Sequence, residues 1–151
     1  YPERPSLFGG PGGEAMARFI ERWSQLTIHP VLNATALVDI HARLAPPDQV
    51  YFRENREARF GRTLEEHVAG SDQLLPALRA SLEPLRSMLT YQPWIGGASP
   101  LFCDYIVFGA FQWVRVMSPL TYVEPGDPVA DWFGRCLDLH GGIARKVAAA
   151  A

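Results

Sequence analysis

Between Leu101 and Met117 the chain places Ile106, Val107, Phe108, Ala110, Phe111, Trp113 and Val114 at positions that wrap around a helix instead of lining one side. A helix that is apolar all round is stable only when buried. This one is too short, and too interrupted by Asp104, Gln112 and Arg115, to span a bilayer, which needs about 20 apolar residues. The rest of the chain must therefore cover it. With 151 residues, of which 48% are hydrophobic and 20% charged, there is material for one domain with a real core.

The covering elements read as helices. Met16, Phe19, Ile20, Trp23 and Leu26 recur at helical spacing behind Glu14, an acid suited to the positive end of a helix dipole. Pro30 lacks the N–H that a continuous helix needs and must kink or split this segment. Val31, Thr35, Val38 and Ala42 predict a second stripe, which Pro46-Pro47 stops. Asp48 to Phe60 predicts a polar helix closed by Gly61. Thr63-Leu64-Glu65-Glu66 matches a capping box. Behind it Leu64, Val68, Ser71, Leu75, Leu78, Leu82, Leu85 and Leu89 form a seam in steps of three and four. Pro76 and Pro84 predict bends in that seam, with a break near Gly70-Ser71. Asp127-Pro128 opens a last helix with Val129, Trp132, Phe133 and Cys136 inward, and Gly141-Gly142 closes it. No stretch alternates like a strand. The expectation is an all-α fold, a helical bundle around a buried central helix.

Charge and composition exclude several functions. A net charge of -2 supplies no general field for nucleic acid or an acidic membrane, so neither is expected as a partner. Residues 1–13 are rich in Pro and Gly and lack the pattern of a signal peptide, which reads as an interdomain linker ahead of a helical domain at 14–151. Cys103 and Cys136 sit in apolar patterns and read as buried reduced thiols, suited to a cytoplasmic protein. His29, His41, His67 and His140 show no metal-ligand spacing. Asp48, Asp72, Asp131 and Asp138 form no acid pair, and Ser6, Ser24, Ser81 and Ser118 have no nucleophile-elbow context. Gly9 to Gly13 follow no strand and lack the lysine of a phosphate loop. Arg53, Arg56, Arg59 and Arg62, interleaved with Glu54 and Glu57, read as a solvated face with ion pairs.

Pro93-Trp94-Ile95-Gly96-Gly97, then Ser99-Pro100, then Asp104-Tyr105, resembles the C-terminal domain of glutathione transferases. There a similar stretch opens the central helix with a Ser/Thr-x-x-Asp capping box. Asp104 takes the acidic place, but Leu101 stands where the family has Ser or Thr, and Cys103 where it usually has Ala. The reciprocal half of the box is thus missing, and Asp104 is expected to accept N–H groups of the first turn as a structural helix acceptor. Tyr51-Phe52-Arg53 through Arg59-Phe60-Gly61, Ser81 through Leu89, and Asp104 through Gly109 resemble the bacterial β-aryl-etherase-like members.

The resemblance implies a division of labour. Glutathione, the co-substrate, would be held mainly by a thioredoxin-like N-terminal domain, which would also carry the catalytic residue, and no strand pattern for such a domain precedes residue 14. This chain, inactive alone, would form the walls for a hydrophobic aromatic substrate, and a homodimer is compatible with the resemblance. The pocket residues it implies are Met16, Ile20 and Trp23 on the first helix and Trp113 and Met117 on the central one, all of types suited to an aromatic substrate. The alternative is a stand-alone helical domain that serves protein assembly.

Overall fold

The computed structural model describes residues 3–151. Tyr1 and Pro2 of the expected linker lie outside them. The fold is all-α, and among the described residues the one β-type pairing is an isolated bridge between Trp94 and Gly97.

The helices begin and end for local reasons. α1 (Gly13–Thr27) and α2 (His29–Arg43) are separated at Ile28, with Pro30 in the first turn of α2, where a missing N–H costs nothing. α3 (Pro46–Phe60) starts on its prolines and stops at Gly61, which takes φ 67° while its N–H closes on the Glu57 carbonyl at 2.8 Å. The capping box opens α4 (Leu64–Val68): Glu66 N–H donates to Thr63 Oγ1 at 3.1 Å, and Thr63 N–H donates to Glu66 Oε2 at 2.9 Å. Gly70 breaks the seam with φ 70°, and a 3-10 turn follows at Ser71–Leu74. The seam resumes as α5 (Leu75–Ser81) and α6 (Glu83–Met88), each with a proline in its first turn. α7 (Phe102–Met117) is the central helix. α8 (Pro128–Gly142) begins where the Asp127 carboxylate accepts Val129 N–H at 2.8 Å.

α1, α2 and α8 pack directly on α7, α4 packs on α2 and α3, and the core joins Ile28, Leu32, Ala36, Leu78, Leu82, Leu85, Val107, Ala110, Phe111, Val114, Val129 and Trp132.

Three expectations need correction. On α2 the buried side runs through Leu32, Thr35, Ala36, Leu37 and Ile40, whereas Val31 and Val38 are half-buried and Ala42 is exposed. Ile28 at the elbow sets the phase, and Leu32 and Ala36 continue it one and two turns on. The central helix is not buried on every face: Cys103, Asp104, Val107, Ala110, Phe111 and Val114 are buried, Ile106, Phe108, Trp113 and Met117 are half-covered, and Phe102 and Gly109 are exposed. The regular turns of α8 end before its glycines, because Leu139 is extended (ψ 153°) and His140 is left-handed (φ 53°).

The leading segment is docked rather than free. Phe102 N–H, at the mouth of α7, donates to the Leu7 carbonyl at 2.8 Å, and the rings of Phe8 and Phe102 meet edge to face at 5.1 Å. Gly13 is required there, since a Cβ would lie 1.6 Å from the Phe8 carbonyl oxygen.

Candidate substrate groove

α1 turns its small residues inward. Ala17 and Ser24 are buried, while Met16, Phe19 and Leu26 are 61%, 66% and 73% exposed. Two small side chains a pair of turns apart let α1 approach the core closely, which leaves the large apolar stripe on the outside. Large apolar groups gathered on a surface mark an interface or a ligand site.

Part of this stripe walls a groove. Phe19, Ile20 and Trp23 face Pro84, Leu85 and Met88 of α6 across a hollow of about 210 Å³, and Ile95 closes its end. Met16 lies in an adjoining hollow of about 140 Å³ with Leu7, Phe8, Leu101 and Cys103, and Ile95 borders both. Of the five positions implied by the resemblance, then, the structure brings Ile20 and Trp23 together and sets Met16 beside them. Trp113 and Met117 are half-buried, pack against the core as Ile20 and Trp23 also do, and line neither hollow. Leu85, Met88 and Ile95 were not anticipated. Leu85 and Met88, three apart behind Pro84, share a helix face, but nothing local indicates that this face looks at α1.

Asp104 positions Ile95. The carboxylate is fully buried and accepts four N–H hydrogen bonds. Oδ1 takes Ile95 N–H at 2.7 Å and the Trp132 indole N–H at 2.9 Å. Oδ2 takes Gly96 N–H and Leu101 N–H, each at 2.9 Å. Only the Leu101 bond belongs to the opening of the helix; the other donors come from the preceding loop and from α8. Leu101 has no side-chain acceptor to return the bond, so half of a capping box remains, as expected. Gly96 must be glycine, because a Cβ would stand 2.5 Å from Leu101 Cγ and 2.9 Å from Leu101 N. The loop is tied further by Gln92 Nε2, which donates to the carbonyls of Trp94 and Ile95 at 2.8 and 3.2 Å.

No lining side chain of the groove ionises in the physiological range, and Trp23 alone among them carries a hydrogen-bond donor. The groove can bind, orient and keep water out, and it cannot move a proton. Its lining offers no polar cradle for a charged ligand. The nearby thiols are not nucleophiles either. Burial, then the Asp104 charge, pushes Cys103 up to about 11, and the same causes push Cys136 up to about 12. Among the described residues no group of three His, Cys, Asp or Glu is placed to hold a metal ion, and no helix is long and apolar enough to cross a membrane.

Comparison with known proteins accords with this arrangement. Residues 15–136 match the family "Glutathione S-transferase, C-terminal domain". The fold is similar to the crystal structure of glutathione transferase GSTFuA3 from Phanerochaete chrysosporium, at 26% sequence identity and a TM-score of 0.66. That match covers 97% of this chain and 56% of the fungal one, so the chain spans little more than half the length of this relative. The chain belongs to the glutathione transferase superfamily as a C-terminal helical domain.

Proposed function

We propose that the groove between α1 and α6 is the electrophile-binding wall of a glutathione-dependent transferase, completed by a thioredoxin-like domain that holds glutathione. One observation carries this reading: the largest exposed apolar side chains of α1 lie beside an apolar groove on the helix that directly follows the docked leading segment. Residues 1–13 would then be the connection to that domain, and the outward stripe of Met16, Phe19 and Leu26 would be covered in the whole protein. This chain contributes binding energy and orientation, and a well-oriented aromatic ring lowers the entropic barrier to attack.

β-Aryl ether cleavage is the finer reading, supported by the likeness of residues 51–61, 81–89 and 104–109 to etherase-type members. In that reaction the glutathione thiolate displaces an aryloxide: a C–S bond forms, the C–O bond breaks, and the phenolic oxygen takes the proton that the thiol lost. Ile20, Trp23 and Met88 would flank the ring, and the absence of ionisable lining groups leaves thiol activation to the other domain.

The test is glutathione-dependent phenol release from an aryl ether dimer by the protein joined to its thioredoxin-like domain, in wild type and in Trp23→Ala and Ile20→Ala. The proposal expects KM to rise well above wild type in both variants. Unchanged kinetics in both would remove this groove from the substrate site.

A further inference from the structure

The apolar groove and the smaller hollow beside it meet at one residue. Ile95 ends the first, borders the second, and is the one residue common to both linings. The two spaces measure about 210 and 140 Å³. With a smaller side chain at this junction the groove would run on towards Leu7, Leu101 and Cys103.

Backbone bonds fix what stands there. Ile95 and Gly96 are the tip of a turn closed by Trp94 N–H on the Gly97 carbonyl at 3.3 Å and by Gly97 N–H on the Trp94 carbonyl at 3.0 Å. Ile95 N–H donates to Asp104 at 2.7 Å, and the Ile95 carbonyl accepts from Gln92 Nε2 at 3.2 Å, so both of its backbone polar groups are engaged.

Arg135 reaches the same turn from α8. Its Nη2 donates to the Pro93 carbonyl at 2.8 Å, and its guanidinium lies over the Trp94 ring, 5.8 Å from the centroid. Among the described residues Arg135 pairs with no carboxylate, so its charge serves the loop alone. A simple connector between α6 and α7 does not need restraint from both its own segment and a distant helix. An element that must present one side chain at a fixed place does.

We propose that Ile95 sets the length of ligand that the groove admits, and that Gln92 and Arg135 are positioning residues that hold it in place. The inference rests on the reading of the α1–α6 groove as a ligand site. An alkyl chain that extends from a ring held at Ile20 and Trp23 gains burial with each methylene until it meets Ile95, and beyond that point it gains nothing or clashes. The side chain alone acts as the stop. Changing it leaves the backbone bonds to Asp104 and Gln92 in place, so the stop can be moved without dismantling the turn.

The probes are 4-n-alkylanisoles from methyl to octyl, titrated into the 151-residue chain and read at the Trp23 indole N–H by NMR. In wild type the affinity should rise about 4-fold per methylene up to a cut-off and then stop rising. Ile95→Ala should move the cut-off to longer homologues and Ile95→Phe to shorter ones, with 4-methylanisole bound as in wild type. A residue that only stabilised the loop would not move the cut-off in opposite directions with its size. Should Ile95→Ala fail to fold, Ile95→Val must still move the cut-off to longer homologues. Gln92→Ala and Arg135→Ala should let long homologues bind more tightly than in wild type and leave 4-methylanisole unaffected. Arg135→Lys, which keeps a donor for the Pro93 carbonyl, should restore part of the cut-off. An unmoved cut-off in the Ile95 variants, with Trp23 responding to the probes, overturns this inference and leaves the groove reading standing. A wild-type cut-off in both Gln92→Ala and Arg135→Ala overturns their positioning role. Silence at Trp23 with every probe overturns the inference and the groove reading together.

Discussion

Replacing Asp104 by Ala should be among the most damaging single changes in this chain. The side chain is fully buried and serves four donors: the N–H groups of Ile95, Gly96 and Leu101 and the indole of Trp132. Trp132 is itself fully buried, so its indole cannot turn to water. Each buried donor left unpaired costs roughly 1–3 kcal/mol. The three backbone donors are partly buried and recover some of that from water, which puts the sum at about 4 kcal/mol, within a total stability of roughly 5–15 kcal/mol. Urea denaturation followed by circular dichroism would show this as a midpoint lower by about 2 M, taking a slope of roughly 2 kcal/mol per molar. Asp104→Asn tests the geometry. Each carboxylate oxygen accepts two N–H bonds, so the amide nitrogen of Asn must face two N–H donors whichever way it turns. Asn should therefore restore less than half of the loss. A midpoint for Asp104→Ala within experimental error of wild type would refute the reasoning, as would full rescue by Asn.

Other expectations follow from the same geometry. Gly96→Ala should cost about 2 kcal/mol through overpacking against Leu101, and Leu101→Ala in the same chain should relieve only part of it, because the Leu101 backbone nitrogen also stands in the way; thermal melts of the single and double variants decide. Ser24→Ala should leave the melting temperature unchanged or raised, since the buried Ser24 hydroxyl has no partner and Ala is the better helix former; a clear drop would show a hidden bond. Neither thiol should react with an aromatic disulfide reagent at pH 8 until the chain unfolds. Both thiols are raised in the folded chain above their ordinary value of 9.0, so their contribution is complete below pH 9 and declines as pH rises towards 11 and 12; a chain equally stable at pH 8 and pH 11 would contradict that. The 151-residue chain alone should show no glutathione conjugation of an aryl halide above the buffer rate, because its groove offers nothing to activate a thiol.

What the sequence revealed and what it hid follow from the range of the interactions. The stop at Gly61, the box at Thr63 and Glu66, the break at Gly70 and the cap at Asp127 are all written within a few residues, and each stands where the pattern places it. Asp104 was legible as an acceptor at the start of α7, but two of its donors lie in the loop before it and one lies on α8. No pattern along the chain encodes that meeting. The stripe on α1 was legible as apolar, while its direction was not: size decided it, since Ala17 and Ser24 fit against the core and Met16, Phe19 and Leu26 do not. The phase of α2 was misread because Val31 and Val38 look more like core than Ala36 does, yet the elbow at Ile28 fixes which side turns in. Trp113 and Met117 were placed in the pocket by resemblance alone, and they line neither the α1–α6 groove nor the hollow beside it.

The central claim is that the wall of Ile20, Trp23, Met88 and Ile95 receives an aromatic ligand. The most direct measurement is an NMR titration of the chain with an aryl ether dimer, following side-chain methyl and indole signals. Saturable shifts should gather at Ile20, Met88, Ile95 and the Trp23 indole and vanish in Trp23→Ala, while Trp113 and Met117 stay still. Shifts centred on Trp113 and Met117, with the α1–α6 groove silent, would contradict the account.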